Sequence, residues 1–163
     1  MRTTAGVIVA LALVATASGC SDGSSSPVAS SSSPSASAGY QQQVDALIQD
    51  WGSIAVQGMR PAIADLAHPG GVPRAGIATE AKAWTAALSQ DRDRLQHVVA
   101  PSSYEPTRQL LIRSLNGYLR AAAIVRSAAQ QPDAGRRRAA LERAARVLTA
   151  ADQTFDRARS GSN

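Results

Sequence analysis

Apolar residues recur at steps of three and four along most of this chain. In the first run they fall at Val44, Ile48, Trp51, Ala55, Met59, Ala62 and Leu66. The second holds Ile77, Ala81, Trp84, Leu88, Asp91, Leu95 and Val98. The third holds Tyr104, Arg108, Leu111, Leu115, Tyr118, Ala122, Val125 and Ala129, and the fourth Leu141, Ala144, Leu148, Ala151, Phe155 and Ala158. A step of three or four keeps side chains on one face of an α-helix. Four such stripes joined by short polar connections predict an all-α fold, an antiparallel four-helix up-down bundle. No stretch alternates with the period of a strand.

The breaks in the pattern predict where helices stop. Pro61 has no N–H for the carbonyl of Gln57, so a kink is expected near Gly58–Pro61. "HPGGVP", residues 68–73, reads as a turn. Pro101 closes the second helix. Ser102 or Ser103 is the expected cap of the third, with Pro106 in its first turn. "QPD", residues 131–133, closes the third.

The first 39 residues follow other rules. Residues 5–17, "AGVIVALALVATA", are apolar, uncharged and preceded by Arg2. Thirteen residues are too few for a membrane span, which takes about 20, but they suit the apolar region of a signal peptide. "ASGC", residues 17–20, looks like a bacterial lipobox. That resemblance implies cleavage before Cys20 and a diacylglyceryl group on its sulfur. Cys20 is the only cysteine, so it has no internal disulfide partner. Residues 21–39, "SDGSSSPVASSSSPSASAG", lack the apolar surface to fold and predict a disordered tether. Nineteen such residues span about 24 Å on average. The expected organisation is signal peptide at 1–19, lipidated Cys20 and tether at 20–39, bundle at 40–159 and tail at 160–163.

Composition adds two points. The chain carries 17 Lys+Arg against 12 Asp+Glu, and all but Lys82 of the bases are Arg. Only six residues are aromatic, so the core must rest on Ala, Leu and Val. "WGSIAVQGMRPAIADL" and "AKAWTAALSQDRDRL", with "SLNGYLRAA" and "AADQTFDRA" further on, resemble a class of uncharacterised actinobacterial helical lipoproteins. The resemblance implies a membrane-anchored address on the extracytoplasmic face and carries over no residue beyond Cys20.

Candidate chemistry is sparse. Asp91 and Arg108 occupy apolar-stripe positions in adjacent helices, at heights that would let them form an ion pair. Arg136, Arg137 and Arg138 open the last helix, where three guanidinium groups and the helix N-terminus together suit an anion such as lipid phosphate or a wall polymer. Trp51, Trp84 and Tyr118 are the bulky stripe residues that would line a ligand cavity if the bundle held one. His68 and His97 are too poorly supplied with acids to form a di-metal bundle site. No catalytic or cofactor motif stands out, and neither metal nor cofactor is expected. The diluted charge and the expected compartment argue against nucleic acid. The expectation is a non-enzymatic interaction or accessory module of the cell envelope, held by membrane lipid and facing an envelope protein, anionic lipid or wall polymer. The alternative is a carrier or sensor for a small apolar or anionic ligand.

Overall fold

A computed structural model describes residues 34–68 and 73–160 of the chain, the side chains of 34–36 and of Val56 apart. Cys20 and most of the expected tether lie outside those residues. The helices are α1 (Pro34–Ser53), α2 (Arg60–Ala67), α3 (Arg74–His97), α4 (Glu105–Gln130) and α5 (Ala134–Ser160). A π-helical stretch, Ile54–Met59, joins α1 to α2 without a break, so the two form one rod. Four rods run antiparallel, as the stripes predict. Among the described residues there is no strand, and no helix is long and apolar enough to cross a membrane.

Helix α1 opens at Pro34, inside the segment whose composition reads as tether. The expected start at Tyr40 instead marks the first buried side chain among those described. Pro favours a first helical turn because its missing N–H would have no partner there, and the Ala residues after it carry the helix forward.

The expected kink before Pro61 takes the form of the π-helical stretch. The N–H of Arg60 reaches back to the carbonyl of Ala55, five residues earlier. One extra residue per turn absorbs a proline that cannot donate, and the rod continues instead of breaking. Gly58 lies within this stretch. A Cβ there would sit 3.0 Å from the Trp84 ring, so the missing side chain lets the indole of α3 lie against the rod.

The start of α4 departs from expectation. Neither Ser102 nor Ser103 caps it. They form a 3-10 turn with Tyr104, whose N–H donates to the carbonyl of Pro101 at 2.8 Å. Helix α4 then begins at Glu105, with Pro106 in its first turn as predicted and an acid where the helix dipole favours one.

Two buried clusters fill the bundle along its axis. One gathers Tyr40, Val44, Trp51, Leu88, Leu95, Leu111, Leu115 and Leu148, with Phe155 packed against it. The other gathers Leu66, Ile77, Ala81, Val125 and Leu141 with Ala62, Ala128 and Ala144. The midplane is set at the Gly58–Trp84 contact, whose indole packs against both clusters, and at the Gly117–Ala151 contact, near the middle of α4. The upper half holds the start of α1, the end of α3, the start of α4 and the end of α5. The lower half holds the opposite ends.

Candidate functional site

The charged stripe positions do not pair with each other. Asp91 is buried, 4% exposed, and its carboxylate meets Arg94 one turn along α3 at 3.6 Å. Arg108 instead grips Glu105 through Nε and one terminal nitrogen, both at 2.9 Å. Its other terminal nitrogen donates to the carbonyls of Gln96 at 3.0 Å and Leu95 at 3.5 Å. Those carbonyls belong to the last turn of α3, which has no further N–H to accept. Arg108 therefore caps α3 from the neighbouring helix. The expected pair fails because each residue has a nearer use. Glu105 gains as well, since the Arg108 guanidinium holds its carboxyl below the usual range.

Burial pushes the Asp91 carboxyl above the usual carboxylate range. Asp50, across on α1, adds to the push, and Arg94 opposes it. In the window between the unfolded and folded pKa the folded chain holds the proton more tightly. The contribution of the protonated group is therefore full below the unfolded value and lost as pH rises through the folded one. Asp91→Asn is expected to raise the melting temperature at pH 7, with the gain shrinking toward pH 4. Melting curves at the two pH values test this; an Asn variant that melts below the parent at pH 7 refutes it.

The three arginines at the start of α5 do not converge on an anion site. Asp133 already fills the helix N-terminus: its Oδ1 accepts the N–H of Arg136 at 2.6 Å. Arg137 turns back to donate to the carbonyls of Gln131 at 3.0 Å and Pro132 at 3.4 Å. Arg138 pairs with Glu142 one turn on, at 3.3 Å. Arg74 of α3 also donates to Gln131 O, at 3.3 Å, so this turn is pinned from two helices.

Trp51, Trp84 and Tyr118 do not share a cavity. Trp51 is 1% exposed and meets Phe155 edge to face, ring centroids 6.0 Å apart. Trp84 covers Gly58. Tyr118 is buried, and its hydroxyl donates to Asp152 at 2.9 Å. The two clefts found lie elsewhere, on either side of α1. One of about 810 Å³ is bordered by Tyr40, Val44, Ile48, Tyr104 and Leu111. The other, about 820 Å³, is bordered by Tyr40, Leu47, Arg94, Val98 and Val99. Trp51, Trp84 and Tyr118 border neither of these two clefts. Each fills its own helix contact, as a large ring among alanines does.

One arrangement has no counterpart in the sequence reading. Asp152 on α5 accepts from the Tyr118 hydroxyl of α4 and from the Arg60 guanidinium, immediately after the π-helical stretch. Ser114, fully buried, donates to the carbonyl of Ala151 at 2.9 Å. These bonds tie three rods at the midplane. Burial, together with the adjacent Asp152 carboxylate, pushes the Tyr118 hydroxyl pKa well above its ordinary value. A buried tyrosine needs a partner for its hydroxyl, and that requirement was the available signal. The partner's identity was not, because Asp152 sits beside the stripe and Arg60 follows the irregular stretch.

Both histidines fold back on their own helices: Nδ1 of His68 donates to Ala64 O at 2.8 Å, and Nδ1 of His97 donates to Asp93 O at 2.6 Å. Among the described residues no three His, Cys, Asp or Glu side chains gather as metal ligands would. The Tyr40 hydroxyl and the Trp51 indole N–H are buried without a hydrogen-bond partner. Both belong to α1, whose backbone approaches the other helices less closely than α4 approaches α5. Set against protein-family models, curated proteins and solved structures, this chain finds no match in any of the three.

Proposed function

We propose that this chain is a lipid-anchored, non-enzymatic interaction module on the extracytoplasmic face of a cell membrane. The observation that carries the proposal is how the interior polar groups are used. Arg108 caps α3, Asp152 joins Tyr118 to Arg60, and Ser114 holds α5. Each bridges rods. None of these three faces a second titratable group across a cleft as a catalytic pair does; buried Asp91, with Asp50 across on α1 and Arg94 beside it, is the one interior charge that does not bridge rods. What remains to meet a partner is the outer surface. The anchor follows from the sequence: an apolar leader, small residues, then a lone Cys20.

Cys20→Ala tests the anchor. The variant is expected to leave the membrane fraction or to accumulate uncut, because two acyl chains hold a protein at a bilayer far more stably than one or none. Full membrane retention with normal processing would overturn it. A carrier for a small ligand is the second reading. The orphaned Tyr40 hydroxyl favours it, because Tyr40 borders both clefts.

A further inference from the structure

The charge of the bundle is unevenly divided. Arg60 and Asp152 pair at the midplane and cancel. Below them lie nine Arg and Lys residues against four acids, Asp65, Glu80, Asp133 and Glu142, a balance of +5. Above them lie six bases against six acids, a balance of zero. Two of the four lower acids are already engaged: Asp133 caps α5 and Glu142 holds Arg138. Lys82, Arg120, Arg126, Arg136, Arg143 and Arg146 are exposed and enter no ion pair among the described residues. Ten residues separate Arg136 from Arg146, so the α5 members alone cover about 15 Å of helix.

We infer that this lower half binds a linear polymer of repeating phosphate groups. Three features choose that partner. Nearly all the cations are arginines, whose planar fork matches phosphate oxygens. They are spread along helix faces rather than gathered in a pocket, which suits an extended chain better than a small anion. The lower half also lacks the apolar anchors on which protein interfaces depend. Val99, the one large hydrophobic residue exposed among those described, lies at the upper end. A lipid headgroup surface is the less favoured partner: if the chain is held at a bilayer by Cys20, the reading proposed above, the tether joins the bundle through α1 at its upper end, opposite the basic half.

The test uses the full chain purified in neutral detergent, with long-chain inorganic polyphosphate as probe. Binding is expected to weaken linearly in log Kd against log salt, as counterions are released. The triple variant Arg136→Gln/Arg143→Gln/Arg146→Gln is expected to lose tenfold or more in affinity, with a salt slope shallower by about 2. Each single variant is expected to give a smaller step of the same sign, so the result does not depend on the triple variant folding. Arg113→Gln, on the upper half of α4, is expected to change affinity less than twofold. Equal loss from the two halves, tighter binding to polyglutamate than to polyphosphate, or binding to phosphatidylglycerol vesicles alone would each overturn the inference. Membrane retention of the same variants separates the two readings. Retention without polyphosphate binding removes this inference only, and binding by a chain that is not membrane-held removes the anchor only.

Discussion

Trp51→Ala is expected to destabilise the bundle by about 3–5 kcal/mol, the usual range for removing a fully buried large aromatic side chain. In a domain of this size that lowers the melting temperature by roughly 12–20 °C. The size follows from where Trp51 sits. It is 1% exposed, it carries the edge-to-face contact with Phe155, and it lies at the end of α1 just before the π-helical stretch. It therefore joins the least closely packed rod to α5. Trp51→Phe is the informative companion. The indole N–H is buried without a partner, an arrangement that costs free energy in the folded state. Phe removes that cost while keeping most of the apolar surface, so it is expected to lose far less than Ala. If Phe and Ala prove equally damaging, either the indole N–H has a partner or packing at this site depends on the second ring.

The four rods were legible because stripe spacing reports helix burial directly. Leu88, Leu95, Leu111, Leu115 and Leu148 are all read from the pattern and all fully buried. Where the reading failed, a polar group had two possible partners and the stripe did not choose between them. Asp91 and Arg108 both occupy stripe positions, yet Arg108 lies beside Leu95 and Gln96, about a turn beyond Asp91, and each pairs one turn away on its own helix. Arg108 adds the open carbonyls of α3. Local partners win because the backbone already holds them in place, so less side-chain freedom is lost on pairing. The first turn of α5 shows the same competition: Asp133, three residues before Arg136, takes the site an external anion would have used. The uneven charge of the two halves was hidden for another reason. Its arginines come from α3, α4 and α5, and only the antiparallel arrangement brings them to one end.

Gly117→Ala is expected to destabilise the chain, although the same exchange in an isolated helix would stabilise it by about 1 kcal/mol. A Cβ at Gly117 would lie 2.7 Å from the Cβ of Ala151 and 3.4 Å from its Cα. Neither atom is the tip of a flexible side chain, so α4 and α5 would have to part. Parting them stretches the Ser114–Ala151 hydrogen bond and loosens the Tyr118–Asp152 contact beside it. The overpacking cost, about 1–3 kcal/mol, exceeds the gain in helix propensity once these bonds weaken. The double variant Gly117→Ala/Ala151→Gly moves the methyl group to the other helix and restores the space. It is expected to melt close to the parent, with a coupling between the two sites of about 1 kcal/mol or more. Denaturant unfolding of the parent, the two single variants and the double variant measures that coupling. Additive effects, or a Gly117→Ala chain more stable than the parent, would show that the helices do not need this close approach. A strong coupling would place the α4–α5 contact, rather than any cleft beside α1, as the rigid frame on which the basic end is carried.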